Sequence, residues 1–270
     1  MSALHLNVPI LMLHHVEPEP DDLKPPPRFR DSYVSRREFA DLLDLILQKR
    51  ATPLTLADAA GRVAAREALP PRVVILTFDD ACRCFQRHAL PELEKRSIPA
   101  TLFAVSQELG GSNRWDREAV AAADRERHED LMNGAELRDV ARQGIEVGAH
   151  GRRHRDLTTC TAAELDDEVA GSRADLSDAL GSPVETFCYP YGRWNEAARD
   201  AVARAGYRAA AALHSRPGQD PGDLFALRRL PVNPSESRFE WRLKVSGRYP
   251  LWSRLPRLGV LRGLRRGRPR

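Results

Sequence analysis

The sequence predicts an α/β protein built on a mainly parallel sheet, open or closed into a barrel. Two patterns predict it. Short apolar runs alternate with amphipathic helical stretches from Val8 to Val232, the order in which helices connect parallel strands. The run RVVILTF (72–78) is apolar almost without interruption, as expected of a strand covered on both faces. A chain of 270 residues with 42% hydrophobic composition can bury one large core of this kind.

VPILMLHHV (8–16) reads as the first buried strand. The proline-rich, mixed-charge stretch 17–33 excludes a helix and reads as a loop. Residues 35–50 predict an amphipathic helix. Ser35 and Glu38 form its capping box, and Phe39, Leu42, Leu43, Ile46 and Leu47 share one face. Residues 51–69 give a short extended piece and a second helix, and 72–78 the central strand. Helices then follow at 88–97, 131–143, 161–180 and 195–206, the third opened by a Thr161–Glu164 capping box. Strands follow at 100–106, 145–150, 185–191 and 207–213, with a last one at 224–232. In a barrel of this type the C-terminal ends of the strands converge on one face. His14, His15, Asp79, Asp80, His150 and the stretch Tyr189–Gly192 all fall at or just past such ends.

The net charge is +4, but it is uneven. From Arg248 onward there are arginines and no acidic residues. This pattern excludes a basic nucleic-acid-binding domain and predicts a domain over 1–240 followed by a basic, poorly ordered tail over 241–270. Arginines alternate there with Leu, Val and Trp, so peripheral contact with an anionic membrane is an expectation for the tail. No apolar run approaches the roughly 18 residues of a membrane span, and the first residues resemble a strand more than a signal peptide. The expected location is therefore cytoplasmic. The four cysteines, Cys82, Cys84, Cys160 and Cys188, contain no CxxC pair. That spacing argues for free thiols and against a cysteine zinc site.

Two aspartates, Asp79 and Asp80, end the central apolar strand, and EVGAHGRRHRDL places His150 and His154 four residues apart after another. Two imidazoles and one carboxylate from the aspartate pair would give a divalent cation, Zn²⁺ or a similar ion, three protein ligands and one open position. The second carboxylate would be left to accept a proton from water.

These segments resemble the NodB-homology polysaccharide deacetylases, carbohydrate esterase family 4. The resemblance is carried by LTFDDACRCFQRHALPELEKRSIPATLFAV, IEVGAHGRRHRDLT and ETFCYPYGRWNEAARDAVARAGYRAA, with VPILMLHHV and LTLADA. It implies a distorted (β/α) barrel in a single domain. It also implies metal-dependent hydrolysis of the N-acetyl group of an amino sugar in a poly- or oligosaccharide, or in a lipid-linked sugar, with release of acetate. The metal would be Zn²⁺, with Co²⁺ or Ni²⁺ as alternatives. By the same resemblance Asp79 is the catalytic base, and Asp80, His150 and His154 are the metal ligands. The backbone N–H of Tyr191 would help hold the oxyanion. LMLHHVEP is similar to the N-terminal strand of a permuted branch, which makes His14 the general acid, with His15 and His214 as alternatives. Trp194 and Trp115, in polar loops, are candidate platforms for sugar rings. Three positions depart from the family pattern: Ala81 and Gly151 replace a glycine and a hydroxyl residue, and Cys188 stands where an arginine commonly pairs with the base. Without that cation the Asp79 carboxyl is expected to be less acidic. Hydrolysis of another amide, or glycan binding without catalysis, are the competing functions.

Overall fold

The first apolar run folds as two strands. Ile10–Leu13 forms β1 and His15–Glu17 forms β2, with His14 between them. The computed structural model describes residues 8–17, 32–113, 115, 129–213, 223–234 and 236–248. Most of the expected 17–33 loop, His214, and residues 249–270 of the expected basic tail lie outside these. β2 pairs in parallel with β3 (Tyr33–Ser35) in a small separate sheet, whereas β1 enters the main sheet. Different partners on either side of His14 are the physical reason that one apolar run becomes two strands.

Helix α1 (Arg36–Gln48) carries the expected Ser35–Glu38 capping box and buries Phe39, Leu42, Leu43 and Ile46. Leu47 departs from expectation: it is exposed, and Leu45 is buried instead. β4 (Thr52–Leu54), α2 (Leu56–Ala64) and the central β5 (Val73–Phe78) follow, and all six residues of β5 are buried. The helix expected at 88–97 begins earlier. A π-helical turn at Phe85–Ala89 runs into α3 (Leu90–Glu94). The remaining order is β6 (Thr101–Ala104), α4 (Gly134–Arg142), β7 (Glu146–Ala149), α5 (Ala162–Leu180), β8 (Thr186–Cys188), α6 (Glu196–Arg204) and β9 (Ala209–Ala212). The expected last strand is split into β10 (Leu227–Arg228) and β11 (Leu230–Pro231), with Arg229 between them.

The main sheet runs β10-β9-β8-β7-β6-β5-β1-β11, with β4 beside the start of β5. Its pairings are parallel. β10 pairs with β9 at one edge and β11 with β1 at the other. Only Arg229 separates these edge strands, so the sheet must curl until its edges nearly meet, as a distorted (β/α) barrel. The two main apolar clusters correspond to its two faces, as the period of two along a strand requires. Leu11, Leu76, Phe78 and Leu102 pack outward under the helices, and Ile10, Ile75, Phe103, Ala211 and Leu227 pack on the other side with α2.

The last helix, α7 (Arg238–Val245), crosses the boundary expected between 240 and 241. It is opened by a Ser237–Glu240 capping box, and Trp241 and Val245 join the core. The apolar side chains at 241 and 245 fall on one helical face, which the basic residues around them obscure in the sequence. Among the described residues no helix is long and apolar enough to cross a membrane.

Gly148 on β7 makes room for the interior. A Cβ there would stand 2.6 Å from the Phe103 ring and 2.6 Å from Thr186 Oγ1. Gly148→Ala should therefore destabilise the fold by about 1–3 kcal/mol, as overpacking of a filled core does. Denaturant unfolding checks this; an unchanged midpoint would mean that the interior is looser than the structure shows.

Candidate active site

The strand ends gather the expected residues around one pocket of about 330 Å³, lined among others by His14, Asp79, Asp80, His150, His154, Tyr191 and Arg229. His14 follows β1, the two aspartates follow β5, and His150 follows β7. The local backbone separates the aspartates. Asp80 and Ala81 have φ of 73° and 53°, so the chain leaves β5 through a left-handed turn and the two carboxylates face different partners. The positive φ at Ala81 explains why glycine suits this position: an alanine holds the conformation at a cost of about 1–2 kcal/mol.

Asp80 faces the histidines. Its Oδ1 lies 3.7 Å from His150 Nε2 and 3.7 Å from His154 Nε2. Two ligands about 2.0–2.1 Å from a tetrahedral centre stand about 3.3–3.4 Å apart. These three donors, all buried and all within 4.8 Å of one another, therefore fit a divalent cation after small adjustment. His150 Nδ1 donates to the Cys188 carbonyl at 2.8 Å. This bond fixes the tautomer and leaves the Nε2 lone pair directed at Asp80. Burial lowers the pKa of both imidazoles, which favours the neutral form that binds metal.

Asp79 faces the other way. Arg229 Nη1 donates to its Oδ1 at 2.6 Å and Nη2 to its Oδ2 at 2.8 Å. Both side chains are buried, with 1% and 3% exposure. Burial opposes ionisation of Asp79, but the charge and hydrogen bonds of Arg229 outweigh it and hold the carboxyl below the usual carboxylate range. His14 Nε2 lies 3.7 Å from Asp79 Oδ2 at the pocket wall. Burial brings its pKa down to about 4, against the pull of Asp79.

The family model for polysaccharide deacetylases matches residues 66–210. The chain belongs to the polysaccharide deacetylase family. Among its relatives is the poly-β-1,6-N-acetyl-D-glucosamine N-deacetylase of Staphylococcus aureus, 22% identical over 78% of this chain and 71% of the relative. The chitooligosaccharide deacetylase of Bradyrhizobium is 30% identical over 55% of this chain and 62% of the relative. The Streptococcus pyogenes deacetylase PplD, solved in complex with acetate, superposes with a TM-score of 0.69 at 20% identity, covering 94% of this chain and all of that one. That likeness is one of fold. The deacetylases are metal-dependent hydrolases, and the Asp80, His150 and His154 donors fit that requirement.

Against the family pattern the structure corrects several expectations. Cys188, which the resemblance sets where an arginine commonly stands, has its Sγ 3.7 Å from Asp79 Oδ1, but Asp79 has a cation all the same. Arg229 supplies it from the seam of the sheet, so the carboxyl is held below the ordinary carboxylate range after all. LFALRRLPV shows two adjacent arginines in a strand-like run, but nothing local says which of them is buried or which acid it meets. Gly151 lacks a bracing hydroxyl, but Glu168, fully buried on α5, accepts from the N–H groups of Arg152 and Arg153 at 2.9 and 3.0 Å and ties down the His154 loop. Gly151 has φ of 79°, and a Cβ there would lie 3.1 Å from Glu168 Oε2, so glycine and the Glu168 brace belong together. Trp194 does not line the pocket; it packs on the core with its ring 6.5 Å from Tyr189. Its apolar surface is used in anchoring the loop. Trp115 does line the pocket, but its ring is stacked on His154 at 4.6 Å. Tyr191 meets His154 edge-on at 4.6 Å and is 38% exposed, with a left-handed φ of 58°. His15 turns its Nδ1 toward Cys84.

Arg229→Met should destabilise the protein by about 3–5 kcal/mol, because it leaves a buried carboxylate unpaired. Adding Asp79→Asn should recover part of that loss, and a double-mutant cycle in urea measures the coupling. Independent, additive effects would contradict the pairing. Glu168→Gln should weaken metal affinity about 10–100-fold, as loss of a group that orients a ligand does; isothermal titration with Zn²⁺ gives the number.

Proposed function

We propose that the chain removes the N-acetyl group from an amino sugar within an oligo- or polysaccharide, releasing acetate and a free amine. The observation that carries this reading is the division of the adjacent aspartates, with Asp80 toward two histidines and Asp79 toward Arg229 and His14. The named activities of the Staphylococcus and Bradyrhizobium relatives support N-acetylated glycans as the substrate class.

Asp80, His150 and His154 would hold a divalent cation, Zn²⁺ by the chemistry of the donors, with Co²⁺ or Ni²⁺ as substitutes. When bound, it supplies Lewis-acid chemistry, polarising the acetamide carbonyl and easing the ionisation of water. Asp79 accepts the proton as the water oxygen adds to the acetamide carbon. Arg229 keeps Asp79 ionised and aimed, since its two N–H groups fix both carboxylate oxygens. The Tyr191 backbone N–H is the protein donor assigned to the developing oxyanion. As the carbon–nitrogen bond breaks, the amine nitrogen takes a proton from His14. His14 Nε2 stands 3.7 Å from Asp79 Oδ2, so one bridging water or a small side-chain movement carries the proton from Asp79 on to His14 and the leaving group. Trp115 is occupied with His154, so the exposed ring of Tyr191 is the aromatic surface offered to a sugar.

Release of acetate from defined N-acetylated glucosamine oligomers, with Zn²⁺, Co²⁺ or Ni²⁺ added, tests the reaction. No acetate from any glycan, with turnover of a small N-acyl compound, would replace it with hydrolysis of another amide. Binding of glycans without turnover of either would make the chain a binding protein. Asp80→Ala should lose most bound metal and activity together. Asp79→Asn should keep its metal and lose turnover, because an amide cannot accept the proton. His14→Ala should keep fold and metal and lose about 10²–10⁴-fold in kcat. Metal analysis beside acetate release separates the three variants; the reverse pattern for the aspartates would exchange their roles.

A further inference from the structure

The pocket uses His14, Asp79 and Asp80 and leaves their buried neighbours His15, Cys82 and Cys84 without a role. His14 and His15 both line the pocket, but His15 directs its Nδ1 to the cysteines rather than to the aspartates. His15 Nδ1 lies 3.6 Å from Cys84 Sγ, and its ring is stacked on Tyr33 with centroids 4.4 Å apart. One ligand atom from each of His15, Cys82 and Cys84 lies within 4.8 Å of the others. The two cysteines and Leu131 form an apolar cluster of their own beside Trp115. We propose that His15, Cys82 and Cys84 form a second metal site, for a thiophilic d¹⁰ cation, Zn²⁺ or Cu⁺.

Two thiolates and an imidazole are a soft donor set, unlike the carboxylate and two imidazoles of the first site. An ion about 2.3 Å from sulfur and 2.0–2.1 Å from nitrogen, at angles between tetrahedral and trigonal, sets those two atoms about 3.5–3.8 Å apart. The observed 3.6 Å matches. Glu17 ends β2, two residues after His15, and is a source of a fourth ligand for a tetrahedral ion. The spacing of the cysteines argues against such a site only while the chain is read locally. The third ligand comes from 69 residues before Cys84, on a strand that the fold lays beside the loop. The site would fasten β2 to the chain leaving β5, and so hold His14 in place relative to Asp79 and Asp80.

Titration of the reduced, metal-free full-length protein with Co²⁺ tests this. Two equivalents should bind, one of them giving the near-ultraviolet thiolate-to-cobalt charge-transfer band that nitrogen and oxygen ligands do not produce. His154→Ala should keep the band. Cys82→Ser with Cys84→Ser should lose it and still bind one Co²⁺. A separate titration with Cu⁺ should show one tight equivalent in the wild type and none in the double variant, and Zn²⁺ displacing the cobalt band shows whether both d¹⁰ ions are accepted. Saturation of the wild type without the band and without Cu⁺ uptake overturns the proposal, whether or not the double variant folds. So does a band that survives in the double variant, which would assign it to Cys188 or Cys160.

Discussion

Asp79 and Arg229 lie 150 residues apart in the chain and meet inside the barrel. Arg229 is the residue between the two edge strands, and Asp79 ends the central one. A buried carboxylate is costly unless its charge and both oxygens are satisfied, and a buried guanidinium is costly in the same way. The bidentate pair satisfies the carboxylate completely. Arg229 Nη1 also reaches Thr77 Oγ1 at 3.2 Å, and Thr77 in turn donates to the Leu11 carbonyl at 2.8 Å. The seam, β5 and β1 are thus joined by one line of polar contacts through an apolar interior. Drawing the edges of the sheet together and preparing the candidate base are the same event.

The rest of the site follows from how the chain leaves each strand. A left-handed turn at Asp80 and Ala81 sends consecutive carboxylates to opposite duties, which an extended continuation of β5 would place on opposite faces of the sheet. Left-handed residues recur at His154 and Tyr191, the ligand loop and the pocket rim. Such conformations persist only when their surroundings over-determine them. Here the surroundings are identifiable: Glu168 holds the two N–H groups before His154, and Trp115 and Tyr191 enclose its ring.

Much of this was legible before the structure. The strand–helix alternation located nearly every element, because burial on both faces of a parallel sheet leaves plain apolar runs. Asp79, Asp80, His150 and His154 stood out because ionisable side chains at the ends of such runs have no packing reason to be there. What was not legible depends on contacts between distant segments. The resemblance implies an arginine where Cys188 stands but does not point to Arg229. It implies a hydroxyl at Gly151 but does not point to the Glu168 carboxylate that holds the loop. The sequence places Trp194 in a polar loop, where exposure and anchoring look alike. The break at His14 and the one at Arg229 are equally hidden, since only the pairing partners on each side distinguish one strand from two.

Both breaks matter for the same reason. A residue inside a regular strand has its direction set by the pleat, whereas His14 and Arg229 stand between strands that pair with different neighbours. Each therefore reaches Asp79 from a separate wall of the barrel, Arg229 from the seam and His14 from the strand next to β5. One carboxylate is approached by a fixed cation that keeps it charged and by an imidazole whose Nε2 stands beyond hydrogen-bond distance of it. The cation satisfies the demands of burial, and the imidazole, at 3.7 Å, is left outside that pair. A carboxylate built in this way stays ionised in an apolar interior, and under the proposed function it still has a neighbour to which a proton can go.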